Sequence, residues 1–485
     1  MLPLLSMIVP SFAGLIAALT PWRRWVGWSG AGSLVAVLGI AIALAIKVVR
    51  NGPVVCFSGV LRVDALSAFM MIVVGAVGTL ATVQGVRYLT NEIEQGRCSV
   101  RHASLYAVLV QGFISTMLLA IVAGNVGVMW VAIEATTIIT TFLVGHRRTR
   151  GALEASWKYV IICSVGIAIA FLGTVLIYLA ALHVGHQSSA SLNWTALMAI
   201  APHMNPGVVR IAISLLVLGY GTKVGLAPMH SWLPDAHSQA PAPVSALMSG
   251  VLLSVAFYAI LRFKSVADAA LGPAFPRGLL LAAGLLTLLV ATSLLIRQRD
   301  YKRMFAYSSM EHMGLLALGA AAGTPLAISA VLLHVIGHGL TKAVLFLTSG
   351  ELLVVEGTSD IDQVRALIQR RPALGAIFAF GLVALLGIPP FSLFVSEYTL
   401  LRAQVNAGLT WVVVVTLLCL AVIFASMLSH GSRMLLGERR GDEPVHRTSA
   451  AVTIPLGSAL AACAAIGMLA WPLATLVHAA STVVT

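Results

Sequence analysis

Six residues of this chain carry titratable chemistry in apolar surroundings. Glu134 lies in Trp130-Val-Ala-Ile-Glu-Ala-Thr-Thr137, and Lys223 in Leu218-Gly-Tyr-Gly-Thr-Lys-Val-Gly-Leu226. His334, His338 and Lys342 are spaced i, i+4 and i+8, which puts all three on one face of a helix. Glu397 ends the run Gly387-Ile-Pro-Pro-Phe-Ser-Leu-Phe-Val-Ser-Glu397. A charge at the centre of a bilayer costs roughly 2.5–3.5 kcal/mol on insertion scales, so such residues are candidates for moving protons or ions. Glu134 and Lys223 could pair, and a carboxylate that approaches or withdraws would switch the lysine between charge states. The two histidines titrate near neutral pH and can pass a proton between ring nitrogens. The stripe therefore reads as a proton relay, with Glu397 at its outer end. Each group also has a static reading. These are an ion pair joining two helices, histidines hydrogen-bonded in the packing, and an interfacial carboxylate beside Arg402. A metal site is not expected. Histidines at i and i+4 can ligate, but the lysine cation nearby and the lack of a neighbouring carboxylate argue against one.

The elements that position these groups follow from composition. Of 485 residues, 59% are hydrophobic and 10% are charged, with a mean hydropathy of +0.96. A soluble domain has about 25% charged residues. A span needs about 20 apolar residues and satisfies its own backbone hydrogen bonds. The fold class is therefore all-α and polytopic, with about fourteen transmembrane helices between residues 3 and 478. Three spans read as discontinuous: the seventh at Pro228 and Pro234, the eleventh at Gly337 and Gly339, and the twelfth at Gly387-Ile-Pro-Pro390. Broken helices at membrane depth face protein or a wet cavity, and in transporters they mark the binding pathway.

The net charge of +13 is explained by loops rather than by a nucleic-acid surface. With the N-terminus placed outside, the inner loops carry 20 basic residues and the outer loops 8, while Lys223 and Lys342 fall within spans. That asymmetry places both termini on the outer side of the membrane. Cys56, Cys98, Cys163, Cys419 and Cys463 form no C-x-x-C pair and read as small apolar residues, not as haem or cluster ligands. No nucleotide-binding loop is present, so no cofactor is expected in this chain.

The stretch Gly225-Leu-Ala-Pro-Met-His-Ser-Trp-Leu-Pro-Asp-Ala-His-Ser-Gln-Ala-Pro-Ala-Pro-Val-Ser-Ala-Leu-Met-Ser-Gly250 resembles the signature of the antiporter-like subunits of respiratory complex I, Mrp antiporters and membrane-bound [NiFe] hydrogenases. Arg299-Asp-Tyr-Lys-Arg-Met-Phe-Ala-Tyr-Ser-Ser309 and His338-Gly-Leu-Thr-Lys-Ala-Val-Leu-Phe-Leu-Thr-Ser-Gly350 resemble two further signatures. Ser308-Ser-Met-Glu-His-Met-Gly314 and the Glu134–Gly145 stretch look most like component F of hydrogenase-4.

The resemblance implies two inverted five-helix repeats, and broken helices 7 and 12. It divides the chain into helices 1–3 (1–103), a first repeat (104–263), a second repeat (277–434) and a last helix (450–478). It makes Glu134, Lys223, His334, His338, Lys342 and Glu397 the proton pathway, with His230 and His237 of the long motif as supporting positions. Many relatives carry a lysine or histidine on the eighth helix, where this chain has Ser249 and Ser254. Serine orders water but holds no proton at neutral pH, so the central relay either runs through water there or is interrupted. The implied role is a proton-translocating, non-redox subunit of an oxidoreductase complex. Its partners would be other membrane subunits, the lipid bilayer and a peripheral redox arm, a [NiFe] hydrogenase with iron–sulfur subunits. A Mrp-type cation/proton antiporter, a complex I subunit and a non-conducting structural subunit are the rival readings.

Overall fold

Long apolar runs punctuated by Gly, Pro, Asn, Asp and Ser become helices whose first amides are capped from within, as a dry environment demands. Asp64, Ser99, Asn125, Thr149, Asn205, Asp300 and Thr324 each accept a hydrogen bond from a backbone N–H of the helix that follows. The computed structural model describes residues 2–184, 192–437, 448–469 and 471–485. Arg439, Arg440 and Arg447, counted above among the inner-loop charges, lie outside the described residues.

The first six spans are α1 (Leu2–Leu19), α2 (Arg24–Asn51), α3 (Ala65–Glu94), α4 (Val100–Val122), α5 (Val126–Val144) and α6 (Arg150–Leu182). A small antiparallel hairpin, β1 (Val54–Cys56) and β2 (Leu61–Val63), joins α2 to α3. The short α7 (Trp194–Ile200) precedes the seventh span, which breaks as expected. Its first part, α8 (Pro206–Val224), ends at Gly225 in the left-handed conformation, and the chain resumes as α9 (Trp232–Gln239). The eighth span is α10 (Ala242–Leu247), a π-helical turn at Met248–Leu252, and α11 (Leu253–Leu271). Next come α12 (Ala274–Leu295), α13 (Tyr301–Ala322), α14 (Pro325–Glu356) and the single turn α15 (Leu367–Arg370). The twelfth span splits into α16 (Pro372–Leu385) and α17 (Ser392–Asn406) around Gly387, whose φ is 62°. The chain ends with α18 (Thr410–Leu435), α19 (Ala450–Met468) and α20 (Trp471–Val484).

Twelve of these helices are long and apolar enough to cross a membrane. The other two spans are α13, which carries Lys302, Arg303 and Glu311, and the broken α16–α17 pair. Two expectations are corrected. The eleventh span is not broken: α14 runs through Gly337 and Gly339 for 32 residues. These glycines serve close approach, since a Cβ on Gly339 would lie 2.8 Å from the Gly250 carbonyl oxygen, and one on Gly337 would lie 2.5 Å from Ser392 Oγ. The last span, read as one helix, is two. Pro472 has no N–H to continue α19, so α20 starts afresh and packs back on α3 and α14. Almost every residue of α10, α11 and α14 is buried, while α1, α12, α18 and α19 present much of their surface outward. Arg262, Lys264 and Lys302, read as loop charges, are buried on α11 and α13 because those helices reach beyond the apolar runs.

The buried pair Asp64–Arg262 ties the start of α3 to α11. Arg262 Nη2 donates to Asp64 Oδ1 at 2.6 Å and to Ser67 Oγ at 3.1 Å, and the guanidinium lies over the Tyr258 and Trp194 rings. Burial alone would raise the Asp64 carboxyl, but the Arg262 charge and hydrogen bond outweigh it and hold it below its ordinary value of 3.8. Removing one partner of such a pair strands a buried charge, at a cost of about 3–5 kcal/mol. Arg262→Met is expected to lower the thermal unfolding midpoint in detergent strongly, and Asp64→Asn on top of it to restore most of the loss. A double variant as unstable as Arg262→Met alone would show that the arginine acts through packing.

Candidate functional site

The candidate proton-pathway residues fall into two clusters. In the first, Lys223 ends α8 one residue before the Val224–Gly225 break and is fully buried. Its ammonium donates to Thr137 Oγ1 of α5 at 2.5 Å and to Tyr159 OH of α6 at 3.0 Å, and it lies 5.3 Å from the Tyr159 ring centre. Glu134 stands one helical turn before Thr137 on α5. Its Oε1 accepts from Ser164 Oγ at 3.3 Å, and its buried Oε2 has no hydrogen-bond partner. The expected direct Glu134–Lys223 pair is therefore not formed. Residues three apart on a helix are surface neighbours, so Lys223 reaches the hydroxyl one turn along and stays within electrostatic range of the carboxylate. A modest shift between α5 and α8 would exchange threonine for glutamate at the ammonium.

The second cluster is built by α13, α14 and α17. His334, His338 and Lys342 are all fully buried on α14, as their spacing requires. Lys342 Nζ donates to the Phe305 carbonyl at 2.8 Å and to Ser308 Oγ. Two residues not singled out above complete the cluster, Glu311 and His312 of α13, both buried. Glu311 is the carboxylate whose charge acts on Lys342. His312 Nδ1 and His334 Nε2 share a hydrogen bond of 3.0 Å, and the two rings lie 5.0 Å apart. His334 Nδ1 and Ser396 Oγ of α17 share another of 3.0 Å. The His338 ring is 5.1 Å from that of His312, and neither of its nitrogens has a partner.

The hydrogen-bond pattern settles the proton positions among neutral rings. Ser396 has one hydroxyl proton and gives it to the Leu393 carbonyl at 2.9 Å, an atom that can only accept. His334 Nδ1 must then be the donor to Ser396, which makes His334 Nε2 an acceptor. His312 Nδ1 therefore carries the proton it shares with His334, and His312 Nε2 is left as an open, unpartnered acceptor. A proton delivered to that nitrogen has a hydrogen-bonded route through His334 to Ser396. Glu397 follows Ser396 directly, and its Oε1 lies 4.0 Å from His312 Nδ1. Its carboxylate packs on the backbone of Gly387, where a Cβ would sit 2.4 Å from Oε2. Among the described contacts the group beside Glu397 is the His312 ring and not Arg402.

Smaller groups lie between and beside the clusters. Ser249, in the π turn, shares a 2.8 Å hydrogen bond with Ser309 of α13, and Ser309 donates to the same Phe305 carbonyl that Lys342 uses. Ser254 is buried and its hydroxyl unpartnered. His237 is fully buried against the Trp232 and Phe346 rings, with both nitrogens unpartnered and within electrostatic range of Lys342. His230 sits in the α8–α9 break, bonded to the Pro228 carbonyl. Lys302 donates to the carbonyls of Ser238 and Ala240 at 2.6 and 3.0 Å, and Asp235 pairs with Lys158 and Arg303 at 3.0 Å each. The ionisable groups thus continue from the α9 surface towards Lys342. The sequence signal for Glu311 and His312 was present, since two adjacent ionisable residues in an apolar run carry the same insertion cost as the six chosen.

His312, His334 and Glu397 place ligand-type atoms within 4.8 Å of one another. The fold thus supplies the carboxylate whose absence spoke against a metal in the sequence. The facing His312 and His334 nitrogens nevertheless share a proton as folded, so they do not both offer lone pairs to an ion.

Residues 123–423 match the model of the NADH:quinone oxidoreductase/Mrp antiporter transmembrane family. The chain is 38% identical over 385 residues to the hydrogenase-4 component F homolog of Methylacidiphilum infernorum, covering 78% of this chain and 80% of the relative. It is 31% identical over 445 residues to NADH-quinone oxidoreductase subunit N of Desulforudis audaxviator, covering 87% and 84%. In fold it is similar to a chain of the membrane-bound sulfane sulfur reductase, an archaeal respiratory membrane complex. The TM-score is 0.88 at 24% identity, with 100% of this chain and 96% of that one covered.

Proposed function

Since the chain belongs to the NADH:quinone oxidoreductase/Mrp antiporter family, we propose that it translocates protons in the membrane arm of a hydrogenase-4 or formate hydrogenlyase-type complex. The observation that carries the proton role is the His312–His334–Ser396 chain, with an open acceptor at one end and Glu397 beside it. The hydrogenase assignment rests on the component F homolog. The partners are other membrane subunits and a peripheral [NiFe] arm, and the chain itself holds no redox centre. Residues 104–263 and 277–434 form the two repeats, and both termini face outward. Glu134 and Lys223 are the switch: electron transfer in the partner arm moves α5 against α8, and the ammonium exchanges Thr137 for Glu134. The likeness to subunit N over 87% of the chain supports a second reading, membership of a complex I-type assembly.

Purification through a tag on this chain, followed by identification of the co-purifying subunits, separates the two. Hydrogenase subunits support the first reading, and NADH-oxidising subunits overturn it in favour of the second. In the same preparation reconstituted in liposomes, Lys223→Ala and Glu134→Gln are expected to assemble fully and to slow proton uptake about threefold, a barrier change of about 0.65 kcal/mol. Native rates in both variants would remove the switch from the mechanism.

A further inference from the structure

Outside the proton pathway, the basic end of the bundle holds two adjoining cavities of opposite character. One, of about 660 Å³, is lined by Arg97, Arg147, Arg148 and Thr149, with Glu92 as its one carboxylate. Glu92 is already paired with Arg97 at 2.9 Å. The other, of about 460 Å³, is lined mainly by apolar side chains of α4, α5 and α6. The two share His102, His146 and Arg148, so they form one crevice. The apolar limb opens on the outer surface of the bundle: Phe142 and Trp157 are 63% and 66% exposed, and Leu105 and Ile138 are also exposed. Arg148, at the junction, caps the turn Gly145–Arg147 with φ 53°, its N–H bonded to the Gly145 carbonyl.

We propose that this crevice binds one anionic glycerophospholipid, its phosphate among Arg97, Arg147 and Arg148 and an acyl chain along Phe142 and Trp157. Three guanidinium groups against one carboxylate suit a headgroup with net negative charge and not a zwitterion. Basic pockets between helices, close to a membrane surface, are the usual form of such recognition. The apolar limb opens on an exposed apolar face of the spans, and a tryptophan beside it suits interfacial depth. A free phosphate would use only the basic limb, and an ordinary boundary lipid only the apolar one.

The test is native mass spectrometry of the purified, delipidated complex, titrated with dioleoylphosphatidylglycerol, dioleoylphosphatidylcholine or inorganic phosphate. Phosphatidylglycerol is expected to bind at least about fivefold more tightly than phosphatidylcholine. Arg148→Gln should weaken it about fivefold, the roughly 1 kcal/mol of one arginine near a membrane surface, and leave phosphatidylcholine unaffected. Trp157→Ala should weaken both lipids. Arg97→Gln gives a second reading of the basic limb should Arg148→Gln assemble poorly. Equal binding of the two lipids, no response to either arginine variant, or complete displacement by millimolar phosphate would each overturn the proposal.

Discussion

Lys342→Met is expected to abolish proton translocation almost completely while the complex still assembles. The side chain stays unbranched, one heavy atom shorter, and loses its charge. The substitution is structurally mild for a reason visible in the site: the Phe305 carbonyl that Lys342 engages also accepts from Ser309 at 3.0 Å, so it is not orphaned. Methionine fills irregular apolar space readily. What disappears is the amine that acts on His237, Glu311 and His338 alike. Proton uptake by liposomes holding the complex should fall at least tenfold, or about 1.4 kcal/mol of barrier. Electron transfer to an artificial acceptor should persist. The thermal midpoint of the purified complex should move by no more than a few degrees. Pumping at more than half the native rate would place the proton on another route.

Glu397→Gln should have an effect of similar size at the other end. Glutamine keeps the shape that fits against Gly387 and can still hydrogen-bond, but it cannot take up and release a proton. The His312–His334–Ser396 chain would remain intact, so protons would enter the relay and find no acceptor beyond it. About a tenfold loss of proton uptake is expected, with assembly and partner redox chemistry unchanged. The prolines bear on this step. Pro389 and Pro390 contribute no backbone N–H, which leaves carbonyls of the break free for water near the carboxylate. Retained pumping in Glu397→Gln would mean that the group serves the packing of the α16–α17 break and that exit lies elsewhere.

Span number, the breaks in the seventh and twelfth spans and the burial of Lys223, His334, His338 and Lys342 were legible in the sequence, because all of them follow from insertion cost and from Gly and Pro chemistry. The pairing of groups across helices was not. Nothing in the order of residues says that Lys223 stops at Thr137 rather than Glu134, since the difference is one helical turn of register between α5 and α8. The π turn at Met248–Leu252 is equally silent, as its residues favour an ordinary helix and only the packing around Ser249 reveals the extra residue. Gly337 and Gly339 misled for the opposite reason. A glycine in a span reads as a break when the neighbour that it admits is unknown, the Ser392 side chain for Gly337 and backbone for Gly339.

That neighbouring backbone belongs to the eighth span. A Cβ on Gly250 would lie 2.9 Å from the Gly339 carbonyl oxygen, and the reverse distance is 2.8 Å. Side chains normally cushion helix contacts, and their rotamers absorb small displacements. Here main chain bears on main chain, and interiors packed at this density transmit strain. In mechanical terms the joint has almost no backlash. A displacement of α14 at Gly339 bears directly on the π turn carrying Ser249, so these two spans meet as meshed gears rather than as bodies coupled by springs.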